Sequence, residues 1–234
     1  MTRLGLVTGL ALECRLAERA APELFPQNRL SAVPVAGQAE AAREAVARLA
    51  EEGAGLIVSF GFAGGLAPDL PAGGLLLPET LRCAGHDDIS VDQQAEMAEG
   101  AVGLLVGATP LSRAPLLTVE APLATVEDKR EAQSRFDAVA VDMESYWVAE
   151  ACRHHGLGFL ALRAVSDPAE RTLPVSALRA MGADGNLQIG KLLGGLLARP
   201  GDLSDLVRLG LDSRKASAAL SRAAALLFPL LGRR

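Results

Sequence analysis

Three carboxylates stand where they can do chemistry: Glu13, Glu144 and Asp167. Glu144 lies in the segment Val141-Asp142-Met143-Glu144-Ser145, directly after Ala138 to Val141, a short run of strand-forming residues. Asp167 follows Ser166 at the end of Gly158 to Val165, an apolar run broken only by Arg163. An acid just past the carboxyl end of a strand faces the crevice in which open α/β sheets bind their ligands. Two acids at one small site can divide the work, one holding hydroxyls while the other gives or takes a proton. Glu13 falls in the first turn after the apolar run Leu4 to Val7, and the same rule aims it at the same edge. Each acid also has a plainer reading. Glu13 complements a helix dipole, Glu144 caps a helix, and Asp167 forms a turn with Pro168.

The elements that must position these acids follow from periodicity. Trp147, Val148, Ala151 and Cys152 recur at helical spacing, His154 and His155 fall in the last turn, and Gly156 supplies the stop. Strand, helix and strand predict a right-handed βαβ unit whose parallel strands are neighbours, about 4.8 Å apart, or are separated by one strand, about 10 Å. Further strands are expected at Leu4 to Val7, Ser31 to Val35, Leu56 to Phe60, Leu75 to Leu77 and Leu116 to Val119. Helices are expected at Leu10 to Ala21, Gln38 to Glu52, Thr125 to Arg135 and Ser176 to Leu197. Pro168 to Pro174 is a loop able to cover the site. The stretch GFAGGLAPDLPAGG, from Gly61 to Gly74, has neither P-loop nor dinucleotide spacing. Its glycines admit a close backbone approach to a ligand, and an ordinary connecting loop is the alternative.

The 234 residues suffice for one α/β domain with a full core. Half of them are apolar and few are aromatic, which suits helices packed on a parallel sheet. A net charge of −5 leaves no basic footprint for nucleic acid. Cys14, Cys83 and Cys152 are an odd count without a CxxC pair, so neither a disulfide framework nor a zinc site is indicated. Asp87 and Asp88 read as a solvated pair rather than a metal site. No metal and no cofactor is expected. Neither a signal peptide nor a membrane span is visible, and the expected location is the cytoplasm.

VDMES followed by RAVSD resembles the purine nucleoside phosphorylase and methylthioadenosine/S-adenosylhomocysteine nucleosidase superfamily, which carries a Met-Glu pair at one strand end and a Ser-Asp pair at the next. The resemblance implies a three-layer αβα sandwich on a central, mixed but mostly parallel twisted sheet, in a single domain. It implies that Glu144 takes ribose hydroxyls, that Met143 packs on the sugar, and that Asp167, after Ser166, is the general acid at the purine N7. Glu13 aligns with the acid that activates water in the nucleosidase branch. Ala63 to Pro68 matches the superfamily's Gly-rich loop, which makes Phe62, Ala63 and Gly64 candidate substrate contacts. Phosphorylases of the superfamily use a small hydroxyl residue where Phe62 stands, and their hexameric branch an Arg where Ser59 stands. A phenyl ring cannot donate to an oxyanion, so the nucleophile pocket suits water better than phosphate.

The chain looks most like the hopanoid-associated phosphorylase branch, with residues 1–200 as the catalytic domain and 201–234 as a C-terminal helical extension of it. That likeness implies adenine release from adenosylhopane, a 5′-substituted adenosine, in hopanoid biosynthesis. A phosphate-dependent purine nucleoside phosphorylase is the alternative of the same class, and a non-catalytic nucleoside-binding protein the alternative of another. A homodimer or other homo-oligomer is expected. In the extension, Ser204 and Ser213 can cap two helices. Leu220, Ala223, Ala224, Leu227 and Leu231 line one side of the second, and six basic residues, Arg233 and Arg234 included, face three acidic ones across the whole tail. Such a stripe lies on an anionic membrane, giving peripheral contact at the inner membrane, or docks on its own domain or on a partner subunit.

Overall fold

Residues 3–24, 30–35, 37–91, 110–180 and 200–231 are described by the computed structural model. The strand β3 (Ala54–Gly65) runs through the middle of the sheet and organises it. Along one edge lies β10 (Gly158–Asp167), parallel over its whole length. The other edge is shared. β1 (Arg3–Thr8) pairs with β3 in parallel as far as Ser59, and β9 (Ala140–Asp142) takes over antiparallel at Gly64 and Gly65. Around this centre stand β2 (Leu30–Pro34) on β1, β4 (Leu75–Leu76) on β10, and β7 (Leu111–Ser112) on β4. Beyond β9 come β8 (Leu116–Thr118), β5 (Thr80–Cys83) and β6 (Ile89–Ser90). Among the described residues six pairings are parallel and three antiparallel, so the sheet is mixed and mostly parallel, as expected.

Alternation along the buried strands sends side chains to two helical layers. Leu4, Leu6, Leu56, Val58, Phe60, Leu160 and Leu162 pack towards α1 (Ala11–Ala20) and the long C-terminal helix α6 (Leu203–Leu231). Val7, Ile57, Ala161 and Val165 face α2 (Ala39–Glu51) and α4 (Ser145–His155). A third, smaller core joins Leu66, Leu117 and Val141 to Ala132 of α3 (Val126–Phe136). Local signals hold where they were strong. Thr125 caps α3, its hydroxyl accepting from the Asp128 amide at 3.1 Å, and Gly156 ends α4 at φ 66°.

Three expectations need correction. The β9–α4–β10 stretch is not a parallel βαβ unit, because β9 runs antiparallel to β3 and so opposes β10. The first five residues of the Gly-rich stretch belong to β3 rather than to a loop, since glycine lets the strand pass tightly packed neighbours. The tail forms one 29-residue helix instead of two, and Leu220, Ala223, Ala224, Leu227 and Leu231 are buried in its own domain's core. Neither Ser204 nor Ser213 interrupts it, because the apolar face continues past both with Ala216 and Ala219. Of the helix expected from Ser176 to Leu197, the described part is α5 (Val175–Ala180); residues 181–199 lie outside the described residues, as do Arg233 and Arg234. Among the described residues no helix is long and apolar enough to cross a membrane.

Candidate active site

The site forms where β1 hands the edge of β3 over to β9. Between Ser59, the last residue paired to β1, and Gly64, the first paired to β9, the edge of β3 has no strand beside it among the described residues. Glu13 fills part of the gap. It stands in the first turn of α1, as the helix-dipole reading has it, and its Oε2 accepts from the Leu10 amide at 2.7 Å. Its Oε1 crosses to the sheet and accepts from the Phe62 amide at 2.7 Å. Glu13 is 2% exposed. Burial raises its pKa, and Arg163 with the backbone amides only partly offsets that.

Glu144 reaches the same gap from the other side. Because β9 runs back along β3, Val141 lies level with Gly64 and Ser145 level with Ser59, whose hydroxyls are 3.1 Å apart. Glu144 occupies the N-cap position of α4, but its side chain caps nothing; Asp142 accepts from the Ser145 amide instead. The Glu144 carboxylate points to Gly9 and to Arg163, whose Nη2 lies 3.4 Å from its Oε2. A Cβ on Gly9 would stand 2.6 Å from Glu144 and 3.5 Å from Glu13, so this glycine lets the two acids converge. Burial, then the neighbouring Asp142 and Glu13, raise the Glu144 pKa to about 8 against the pull of Arg163.

Arg163 is wholly buried at the centre. Its Nη2 pairs with Asp142 at 2.7 Å and donates to Ser59 at 2.7 Å. Asp142 is in turn held by Thr118 at 2.7 Å. The Arg163 Nη1 finds no acceptor among the described residues. A Cβ added at Gly61 would lie 2.6 Å from that nitrogen and 2.5 Å from the Glu13 Oε1. A donor and an acceptor therefore face one point over a residue with no side chain.

Asp167 lies two to three residues further along β3, paired to Gly64, a distance of about 7–10 Å at strand rise. Its Oδ1 accepts from the Ser166 hydroxyl at 2.8 Å and its Oδ2 pairs with Lys129 of α3 at 2.7 Å. Burial raises its pKa, and Lys129 opposes the rise. Ala63 is buried, while Phe62, Gly64 and Ser166 are half-buried along the same stretch. Met143 packs against the Gly37 turn, which has φ 75°. The structure thus gathers Glu13, Phe62, Ala63, Gly64, Glu144, Ser166 and Asp167 around one strand, with Met143 beside them at the Gly37 turn. A separate open groove of about 660 Å³, lined by His86, Asp87, Tyr146, Glu150 and His154, contains none of them.

Arg163 and Lys129 were not among the sequence candidates. Arg163 had a signal, a lone charge inside a strand otherwise buried on both faces. Lys129 had none: it stands among Glu127, Asp128, Arg130 and Glu131 in a helix that reads as solvated, and only packing shows that it is fully buried.

Comparison with known proteins bears on the family and the fold. The family described as the phosphorylase superfamily matches residues 30–197. The futalosine hydrolase of Streptomyces coelicolor is 33% identical over 131 residues, 48% of this chain and 54% of that protein, so the match spans about half the relative's length. Among solved structures, the methylthioadenosine/S-adenosylhomocysteine nucleosidase of Helicobacter pylori superposes with a TM-score of 0.69 at 15% identity, covering 100% of this chain and 99% of that one. The futalosine hydrolase of H. pylori gives 0.67 at 15% identity, covering 100% and 98%. A nucleosidase of Colwellia psychrerythraea solved with adenine gives 0.61 at 17% identity, covering 83% and 96%. At such identities the structural likeness speaks for the fold, and the family match extends across most of the sequence: the chain belongs to the phosphorylase superfamily.

Proposed function

We propose that the protein is a nucleosidase that hydrolyses the N-glycosidic bond of a 5′-substituted purine nucleoside, releasing adenine. Glu13 takes a proton from water. The water oxygen bonds to C1′ as the C1′–N9 bond breaks, and the bonding pair leaves with the purine, whose N7 receives the proton of Asp167. Glu144 holds the ribose hydroxyls and Met143 packs on the sugar. The sugar passes through an oxocarbenium-like state, which nearby carboxylates favour. The observation that carries this reading is the convergence of Glu13, Glu144 and Arg163 at the gap in β3, with Asp167 one nucleoside length away. Having a base, an acid and a hydroxyl acceptor together exceeds what binding alone requires.

Water is favoured over phosphate for two reasons. The Arg163 guanidinium is already engaged by Asp142 at 2.7 Å and faced by the carboxyl groups of Glu144 and Glu13, so its charge is not free to receive an anion. The two positions that relatives use for phosphate are also committed. Ser59 is bound to Arg163 and Ser145, and Phe62 offers only a backbone amide already taken by Glu13. As to the 5′ substituent, relatives named for futalosine, methylthioadenosine and S-adenosylhomocysteine define the panel, to which the hopanoid-associated likeness adds adenosylhopane. The test is release of free base from these four compounds in phosphate-free buffer. Free ribosyl product without phosphate is the expected outcome. A strict phosphate requirement, with ribose 1-phosphate product, would replace this reading with phosphorolysis.

A further inference from the structure

We propose that Lys129 is the positioning residue of the catalytic acid: it holds the Asp167 carboxyl group in place and stabilises the anion left once its proton has gone to the purine. This inference rests on the nucleosidase reading above. The Lys129 side chain is fully buried, and its Nζ meets four oxygens. These are Asp167 Oδ2 at 2.7 Å and the carbonyls of Asp167 at 3.2 Å, Pro168 at 3.0 Å and Arg171 at 3.1 Å. None of the three carbonyls can donate, so the nitrogen supplies the protons, and the three N–H groups of an ammonium are shared among the four oxygens. An ammonium fixed by three carbonyls is a positive charge held beside Asp167. Its attraction for that carboxyl group grows when the group becomes anionic, which is when the proton is delivered. Interactions that strengthen on the way to the transition state raise the rate.

The rival account is that Lys129 merely ties down the loop after β10. That loop has other anchors. Arg171 pairs with Asp212 of α6 at 2.7 Å, and the Leu173 amide donates to Ala124 at 2.8 Å. Removing the Lys129 charge therefore leaves the loop attached through Arg171 and Leu173.

The experiment compares two leaving groups. Adenine must be protonated to leave from 5′-methylthioadenosine, whereas nitrophenolate leaves 4-nitrophenyl β-D-riboside without a proton. In Lys129→Met we expect kcat on the nucleoside to fall by about 10²-fold, the scale of one general-acid contribution, and on the nitrophenyl riboside by no more than a few-fold. In an Asp167→Asn background, the same substitution should cost the nucleoside reaction nothing further. Equal falls on both substrates, or a further fall in the Asp167→Asn background, overturn the proposal in favour of the loop anchor. Lys129→Gln, which keeps a donor without the charge, serves if the methionine variant does not melt cooperatively. If neither variant folds, Lys129 is a structural element and the proposal fails. No base release from any nucleoside by the wild-type chain would instead overturn the nucleosidase reading, and this proposal with it.

Discussion

Replacing Glu144 by Gln should change how stability depends on pH. The carboxyl group titrates near 4.5 in its ordinary state and is pushed to about 8 in the fold, chiefly by burial. Between these values the folded chain keeps a proton that the unfolded chain has released. Stability then falls as pH rises, and the loss is complete above the folded value. An interval of roughly 3.5 pH units at 1.36 kcal/mol each gives an upper limit of about 5 kcal/mol. Arg163, 3.4 Å from the carboxylate, can close in once Glu144 ionises, so an observed effect of about 2–5 kcal/mol is expected. Glutamine has the shape of the neutral acid and does not titrate. Burial also raises Asp167, giving a slope of the same sign in both proteins that cancels in the difference. Glu13, which interacts with Glu144, instead loses part of its own rise in Glu144→Gln and adds to the difference in the same sense. Urea unfolding of both chains between pH 5 and pH 9 measures it. Wild type should lose stability relative to Glu144→Gln across that range. Parallel profiles, differing by a constant to within about 0.5 kcal/mol, would refute the claim that Glu144 is protonated in the fold.

Other perturbations test the rest of the site. Glu13→Gln should lower base release in phosphate-free buffer by about 10²–10⁴-fold, and wild-type turnover would remove Glu13 from the role of base. Gly61→Ala puts a methyl group 2.5 Å from the Glu13 Oε1 and 2.6 Å from the Arg163 Nη1. Overpacking of that kind costs about 1–3 kcal/mol, and activity should fall more steeply than the melting temperature; unchanged kinetics would mean that the point over Gly61 is unused. Leu227→Ala in α6 should cost about 2–5 kcal/mol in denaturant unfolding, as for any fully buried leucine. The same burial predicts that the full chain does not co-sediment with anionic liposomes through that stripe, and salt-sensitive sedimentation would show that the helix leaves its core.

Much of this molecule is legible locally. The strand before Glu13, the Thr125 cap, the Gly156 stop and the apolar run to Asp167 each depend on residues within a few positions of one another, and their identities are enough to specify them. The carboxylate positions were legible for the same reason, as strand ends can be seen in the sequence. Other features depend on which strand lies beside which. That β9 opposes β10, and that β1 yields the edge of β3 to β9 at Phe60 to Ala63, is decided by non-local pairing, to which periodicity is blind. The same holds for charge. Arg163 and Lys129 look like surface residues or interruptions until packing withdraws them from water, and a buried charge is then obliged to find partners. The tail shows both sides: its amphipathic stripe was readable, but a stripe specifies only that something apolar must cover it, and the tertiary structure supplied the domain's own core.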